Sequence, residues 1–259
     1  MIIIITMVIR IIYEIIDIMQ IIRGDSYQSW VYANKEDLIA VDPWLTRKQV
    51  FPGLSWLLFR DSQEPSYLEK QNQIHSVTHL IITAHFSDHL DLESLDKFNL
   101  DIPIYTTREA SKLLRKHGFH NVIAVETNKK FQLGSFELEV FMAGKPYNTT
   151  TFSYTLRVLE SGVFHEPHMF NQQLQIKDIN ACILTVDQVK VLGFVQVSMG
   201  IKQALKAQKS LNSKYLLATG IAPNKSKGLI TWLLSTQENY GSSSNGPIAC
   251  QKTGDSLVL

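Results

Sequence analysis

Cysteine is scarce in this chain of 259 residues, which contains only Cys182 and Cys250. Two cysteines so far apart argue against a disulfide framework and against a cysteine-ligated metal, and they favour a reducing, cytoplasmic location. An excess of one charge is also lacking, because the formal net charge is +1 and the 25 basic residues are scattered along the chain. We therefore expect no nucleic-acid partner.

Long uncharged hydrophobic runs are missing too, although the N-terminus is rich in isoleucine. Arg10, Glu14 and Asp17 interrupt that stretch, whereas a membrane span needs ~20 residues nearly free of charge. A signal peptide would need a basic start and a small-residue cleavage site, and this N-terminus has neither. No membrane association is expected. Residues 1–18 are predicted to be an apolar appendage or a translated upstream extension, and residues 19–236 to form the folded domain.

The composition is that of a globular protein, with 45% hydrophobic and 19% charged residues. Strands are predicted at residues 29–33, 38–41, 77–82, 102–105, 121–125, 130–133, 136–142, 153–159, 181–186 and 215–218, with another beginning at residue 162. Helices are predicted at residues 90–98, 108–117, 201–211 and 228–235. Two runs of strands flanked by helices indicate two sheets packed face to face with helices outside. Residues 237–259, rich in Gly, Ser and Asn, are predicted to be a flexible C-terminal tail.

Four side chains able to bind metals follow the predicted strand at residues 77–82: His85, Asp88, His89 and Asp91. Divalent ions such as zinc accept imidazole and carboxylate ligands. A loop at the C-terminal end of a strand is also where open α/β sheets place their chemistry. The alternative is a polar connection in which Ser87 or Asp88 caps the helix that follows.

Several motifs follow one another along the chain: Leu38-Ile-Ala-Val-Asp42-Pro-Trp-Leu, Leu80-Ile-Ile-Thr-Ala-His-Phe-Ser-Asp88-His89-Leu-Asp, the helix ending near Gly118, and Phe131-Gln-Leu-Gly-Ser-Phe-Glu-Leu-Glu-Val. Their order resembles that of the metallo-β-lactamase superfamily. The resemblance implies a four-layer αβ/βα sandwich of two mixed β-sheets with helices on the outer faces, from about residue 19 to 232. Asp42-Pro-Trp-Leu and Glu166-Pro-His168 further resemble a branch of hydrolase-like members described in cyanobacteria and plants.

The chain departs from the metal motif of that superfamily at several positions. Ala84 and Phe86 stand where the family has the two histidines of its first zinc site, and His85 falls in a slot the motif does not use. Residues 143–146 replace a loop that carries the next histidine, and Thr219-Gly220 replaces the last one. The usual binuclear centre therefore cannot be built from this sequence.

The residues that match the superfamily still allow a site for a single metal ion. Asp88 and His89 are retained, and Glu166 or His168 is predicted to stand in for the family's bridging aspartate. Asp42 is expected to add a carboxylate or to orient His89 from behind. Three protein ligands and one open position for water make a hydrolytic zinc site, so the expected cofactor is one divalent ion, zinc foremost with iron or manganese as alternatives, or none. His85 and Asp91 are additional candidates.

Two functions follow from these residues. The first is a hydrolase acting on a small ester, thioester or phosphoester, in which Asp88 orients the attacking water or accepts its proton. In that case Lys145 and Tyr147, on the loop that replaces the missing histidine, are expected to contact a small-molecule substrate. The second is a metal-free pseudoenzyme that binds a ligand or a protein.

Overall fold

A computed structural model describes residues 18–51, 54, 56–62, 64–220, 226–237 and 248–259. The N-terminal extension predicted for residues 1–18 lies almost entirely outside the described residues. Within the described part, no helix has the length and apolar character needed to cross a bilayer.

The described strands and helices are short and follow one another closely. The strands are β1 (Gln20–Arg23), β2 (Trp30–Ala33), β3 (Leu38–Val41), β4 (Lys48–Phe51), β5 (Leu58–Asp61), β6 (His79–Ile82), β7 (Ile104–Thr106), β8 (Val122–Ala124), β9 (Lys130–Leu133), β10 (Phe136–Met142), β11 (Phe152–Val158), β12 (Ser161–Glu166), β13 (Ala181–Thr185), β14 (Gln188–Val191), β15 (Val195–Ser198), β16 (Tyr215–Thr219), β17 (Leu234–Gln237), β18 (Ile248–Ala249) and β19 (Ser256–Val258). The α-helices are α1 (Tyr67–Lys70), α2 (Leu92–Leu95), α3 (Arg108–His117) and α4 (Ile201–Ser210), and 3₁₀ turns lie at Ile74–Ser76 and Leu229–Leu233.

Among the described residues, two seven-stranded mixed sheets dominate the fold. Their strand orders are β19-β1-β2-β3-β6-β7-β8 and β18-β16-β13-β12-β11-β10-β9. Each sheet is antiparallel on one side and parallel on the other, with the change at the β3–β6 pair in the first sheet and the β12–β13 pair in the second. The two sheets therefore have the same plan.

Three apolar clusters hold these layers together. The central cluster lies between the sheets and includes Val41 and Ile81 from the first sheet and Leu138 and Ile183 from the second. A second cluster packs the outer face of the first sheet against α2 and α3, and a third packs the second sheet against α4. The order helix, sheet, sheet, helix is the four-layer sandwich that the sequence predicted.

Local sequence explains where the longest helix of the first sheet's outer layer begins and ends. The Thr107 side chain accepts a hydrogen bond from the Ala110 N–H, and Gly118 ends α3 with a left-handed φ of 111°. The preceding residue, Thr106, belongs to β7 instead, and its hydroxyl donates to the Ile82 carbonyl of the neighbouring strand.

Three predicted segments differ clearly from the structure, and the strands β4, β5, β14 and β15 were not predicted at all. Residues 228–235 form a 3₁₀ turn followed by β17 rather than one helix. Near the C-terminus, where composition indicated a flexible tail, Ile248–Ala249 and Ser256–Val258 are strands at the outer edges of the two sheets. The helix predicted at residues 90–98 is confined to Leu92–Leu95, with Asp91 rather than Ser87 or Asp88 as its N-cap residue.

Two smaller sheets stand outside the sandwich. β4 pairs with β5, and the order β15-β14-β17 makes a three-stranded sheet. A bridge between Phe59 and Lys227 connects the β4–β5 hairpin to the segment that leads into β17. These additions lie near the C-terminal ends of the parallel strands, where the candidate site is found.

Candidate metal centre

Asp42 follows β3 directly and anchors the site. Its backbone has a left-handed φ of 43°, a conformation that Asp and Asn tolerate better than most residues. Oδ1 accepts the Thr83 backbone N–H at 2.7 Å, and Oδ2 accepts the Thr83 hydroxyl at 2.6 Å. The carboxylate thus joins the ends of two parallel strands, β3 and β6.

His89 is oriented by that carboxylate. Its Nδ1 lies 2.7 Å from Asp42 Oδ2, and the ring is fully buried. With the Nδ1–H donated to Asp42, the neutral ring carries its lone pair on Nε2. Burial lowers the pKa of His89, but the nearby carboxylates of Asp88 and Asp42 more than offset this, so the pKa is raised.

His168 approaches from the opposite sheet, on the turn after β12. Its Nε2 lies 3.1 Å from His89 Nε2, and Asp88 Oδ2 lies 3.6 Å from the same His89 atom. The candidate ligand atoms of Asp88, His89 and His168 all fall within 4.8 Å of one another. Burial, followed by the charges of His89 and His165, lowers the pKa of His168 well below its ordinary value, which keeps this ring neutral.

Glu166 shapes the turn that presents His168. Its Oε1 accepts the backbone N–H groups of His168 at 3.0 Å and Met169 at 3.3 Å. Burial raises the pKa of Glu166 to about 8, despite the backbone donors that favour its ionised form. The carboxyl group is therefore engaged by its own turn and lies outside the cluster formed by Asp88, His89 and His168. Its role as a ligand stays a prediction.

Gly144 allows the replaced loop to pack closely on that turn. Its N–H donates to the Met169 carbonyl at 2.7 Å, and a Cβ at this position would lie 2.3 Å from the same oxygen. We expect Gly144→Ala to lower the free energy of unfolding by about 1–3 kcal/mol, because the backbone has to move apart, and to weaken metal binding by displacing His168. Urea denaturation and metal titration measure the two effects.

Gly193→Ala is the matched control for Gly144→Ala. Nothing lies within 4 Å of a Cβ at Gly193, and its φ of 76° alone costs an alanine about 1 kcal/mol. Metal affinity should be unchanged in this variant. Equal metal affinities in the two alanine variants would contradict the close approach at Gly144.

His165 faces away from the site, into the core between the sheets. Its Nδ1 pairs with the Tyr154 hydroxyl at 2.8 Å, and that hydroxyl lies 3.3 Å from the hydroxyl of Tyr32 in the first sheet. Burial and the nearby His89 charge lower the pKa of His165 to about 3. Of the two histidines in the Glu-Pro-His turn region, only His168 therefore reaches the candidate ligands.

The remaining predicted residues have different surroundings. His85 packs its ring on Phe86, with centroids 4.5 Å apart, and lines the adjoining cavity. Asp91 accepts hydrogen bonds from Ser94 and Thr46, away from the other candidate ligands. Tyr147 stacks on His168 with centroids 4.1 Å apart. Lys145 is exposed and is not among the residues that line the cavity.

A cavity of about 740 Å³ opens over the candidate centre. Asp88 and His168 lie on its surface, together with residues that the sequence did not indicate. Tyr27 and Gln28 come from the turn between β1 and β2, and Val191 comes from the small three-stranded sheet. The period-two alternation Val189, Val191, then Val195, Val197 was the available sign of that sheet.

The chain is similar to known proteins in its structure rather than in its sequence. No family model and no curated protein sequence matches the chain. Solved structures with a similar fold include a possible metal-dependent hydrolase from Veillonella parvula, with 14% identity, a TM-score of 0.68, and coverage of 94% of this chain and 100% of that one. An isothiocyanate hydrolase from Delia radicum gut bacteria has 14% identity, a TM-score of 0.67, and coverage of 93% and 98%. The metallo-β-lactamase fold protein YhfI from Bacillus subtilis has 13% identity, a TM-score of 0.64, and coverage of 94% and 100%.

This chain has the metallo-β-lactamase fold. Within that fold, Ala84 is buried and pairs across an isolated bridge with Thr151, and the Phe86 ring lies nearly perpendicular to the His168 ring, with centroids 6.4 Å apart. At the end of β16, Thr219 accepts a hydrogen bond from the Trp30 indole. Ala84, Phe86 and Thr219, at positions that resemble zinc-binding positions of the superfamily, are thus engaged in packing or hydrogen bonds.

The donor set that remains fits one divalent ion. Two imidazoles and one carboxylate are a known ligand set for catalytic zinc. Two nitrogens, each ~2.0–2.1 Å from a tetrahedral zinc, lie ~3.3 Å apart, and the observed separation of His89 and His168 Nε2 is 3.1 Å. His89 also has the carboxylate partner that metal-bound histidines typically use. His168 Nδ1, by contrast, is buried with no hydrogen-bond partner among the described residues.

Proposed function

We propose that this chain is a metal-dependent hydrolase that holds one divalent ion, zinc foremost, between Asp88, His89 and His168 and cleaves a small ester, thioester or phosphoester. The observation that carries the proposal is the convergence of these three donors, from two different sheets, at the surface of one cavity. Similar solved structures include proteins described as hydrolases, which supports hydrolytic chemistry by analogy of fold.

Several side chains are placed so that they can assist hydrolysis. When bound, a divalent ion supplies Lewis acidity and makes water a nucleophile at neutral pH. Asp42 holds His89 so that its Nε2 lone pair points toward His168. Asp88, with 23% of its side chain exposed, borders the cavity at a position suited to orient water or accept its proton. Phe86 and Tyr147 pack around His168 and restrict bulk water there.

A metal-free ligand-binding protein is the second candidate. It is favoured by the buried, unpartnered Nδ1 of His168. In that state His168 donates its Nε2–H to His89 Nε2, and the 3.1 Å contact is a hydrogen bond rather than a shared ion. The two candidates make opposite predictions about metal content.

Metal analysis of protein purified without an affinity tag distinguishes them. We expect about one equivalent of zinc, iron or manganese in the hydrolase. Since outer-shell partners alone contribute ~10–100-fold to metal affinity, His168→Ala and Asp88→Asn should each weaken binding by more than ~100-fold. Hydrolysis of a small aryl ester should fall in parallel, and added metal should restore it in chelator-treated wild-type protein.

His75→Ala provides the matched control, because His75 is an exposed histidine outside the cluster. Its metal content and activity should equal those of the wild type. Protein that contains no metal, takes up none on titration, and keeps the same thermal stability in the Asp88→Asn variant would identify the metal-free alternative.

A further inference from the structure

We infer that the substrate is an ester or thioester with a large uncharged apolar group, and that this group occupies the cavity beside the candidate centre. The inference rests on the proposed function and narrows its substrate class. Three observations support this substrate class: the apolar residues that line the cavity, the lack of lysine and arginine among the described lining residues, and the exposed apolar side chains on the same segments. Cavities of ~300–1,000 Å³ are typical of sites that enclose small organic ligands, and this one measures about 740 Å³.

The outer wall of the cavity is built by the three-stranded sheet. Val189 and Val191 of β14, Val197 of β15 and Leu234 of β17 all line the cavity. Residues 189 and 191 are two apart, so both side chains project from the same face of β14. One face of this small sheet is therefore an apolar surface turned toward the cavity.

The β4–β5 hairpin and the neighbouring 3₁₀ turn supply further apolar lining residues. Phe51, Leu58 and Ile230 line the cavity there. The backbones of these segments are joined, since the Ile230 N–H donates to the Leu57 carbonyl at 3.1 Å and the Leu229 N–H donates to the Trp56 carbonyl at 3.1 Å. Aliphatic and aromatic side chains from the hairpin, the 3₁₀ turn and the three-stranded sheet thus line one space.

The charges near the cavity disfavour an anionic substrate. No lysine or arginine is among the described residues that line the cavity, whereas the carboxylate of Asp88 is. Arg60, the cation behind Tyr27, donates to the Ser26 carbonyl at 3.0 Å and lies 4.9 Å from the centre of the Tyr27 ring. The proposed divalent ion can pair with one anionic oxygen of a phosphoester, but the described lining offers no lysine or arginine for the remaining charge, which loses its hydration. An uncharged ester or thioester group avoids that loss.

Exposed apolar side chains also occur on the segments that form the cavity walls. Leu192 and Phe194 at the β14–β15 turn, Trp56 on the hairpin, and Leu229 and Trp232 on the 3₁₀ turn are all exposed. The Leu192 N–H donates to the Leu233 carbonyl at 2.8 Å, which joins the β14–β15 turn to the segment that leads into β17.

Displacement of the uncharged dye Nile red by a series of straight-chain 1-alkanols, from butanol to decanol, tests the inference without any hydrolytic step. Affinity should rise about fourfold per methylene until the cavity is filled, as expected for burial of one CH₂ group. Decyl phosphate should bind at least tenfold more weakly than decanol. Affinity that does not depend on chain length, or tighter binding of the phosphate, would overturn the inference.

Two variants locate the binding. Val191→Asp and Val197→Asp each place a charge on the wall and should weaken decanol binding more than tenfold. Leu159→Asp is the matched control, because Leu159 is 73% exposed on the β11–β12 turn and should leave the affinity unchanged. Equal loss in all three variants, or no loss in any, would contradict a ligand in this cavity. Protein that contains no metal and takes up none on titration, but still shows the chain-length series, would refute the proposed hydrolase but not the apolar ligand.

Discussion

Replacing Asp42 by alanine is expected to lower the free energy of unfolding by about 3–5 kcal/mol. The buried carboxylate accepts the Thr83 N–H, the Thr83 hydroxyl and the His89 Nδ1–H, and removing one partner of a buried charged network leaves the others unsatisfied at a cost of this size. Alanine also tolerates the left-handed φ of 43° poorly. Urea denaturation with a chelator present measures the change without any contribution from bound metal.

The Asp42→Asn variant separates the effect of this residue on stability from its effect on metal binding. Asparagine accepts the left-handed backbone, and its carbonyl oxygen can take the Thr83 N–H, so we expect a loss of only about 1–2 kcal/mol. Its NH₂ group, however, favours the His89 tautomer that has its proton on Nε2, which removes the lone pair needed by an ion. Metal affinity should therefore fall although the protein remains folded.

Asp61→Ala is the matched control for Asp42→Ala, because Asp61 forms an exposed ion pair with Lys227 at 3.0 Å. Exposed pairs contribute about 0–1 kcal/mol. An Asp42→Ala protein whose stability lies within 1 kcal/mol of the wild type would show that the carboxylate does not join β3 to β6 as described.

Acidification should destabilise the protein through His165. Its pKa is lowered from the ordinary 6.5 to about 3 in the folded protein, mainly by burial. Between these values the unfolded chain binds a proton that the folded chain does not, so stability falls as the pH decreases from 6.5 toward 3. Each pH unit costs about 1.4 kcal/mol per group. From pH 6 to pH 4 we expect a loss of about 2–3 kcal/mol from this residue.

A His165→Gln variant isolates that contribution. Glutamine can still accept the Tyr154 hydroxyl but does not titrate, so its stability should change less steeply between pH 6 and 4 than that of the wild type. Glu166 acts in the opposite direction, because its pKa of about 8 means that the folded protein keeps a proton that the unfolded chain releases above pH 4.5. This effect is common to both proteins and cancels in the comparison. Identical pH profiles of the two proteins would contradict a neutral buried His165.

Local patterns predicted the sandwich correctly, and they placed the candidate site on the loop after β6. The hairpin of β2 and β3, the strand β6 and the loop carrying Asp88 and His89 are encoded in contiguous apolar runs and turn residues. The three-stranded sheet was missed although its valines alternate at period two, because short polar-flanked segments are hard to tell from loops. The strands β18 and β19 were missed for another reason. They are short edge strands in a segment that the composition marked as flexible. Each is stabilised by pairing with a strand that is far away in the sequence, β19 with β1 and β18 with β16.

The tertiary structure decided which way the side chains of His165 and His168 point. Alternation along β12 places His165 and Glu166 on opposite faces, but Pro167 interrupts the strand, and the period-two rule no longer applies to His168. Glu166 and His168 were equally good ligands by sequence. The structure engages the Glu166 carboxyl with the backbone of its own turn and directs His168 toward His89.

The sequence by itself determined which side chains are available for chemistry: an aspartate–histidine pair after a strand, only two cysteines, and no histidine beyond position 168. These are properties of residue identity and local spacing. Only the tertiary structure decided that Asp42, His89 and His168 meet, because they follow strands of two different sheets and His89 and His168 are 79 positions apart in the chain. It also decided the apolar cavity beside them, whose walls come from segments that approach one another only when the sheets pack.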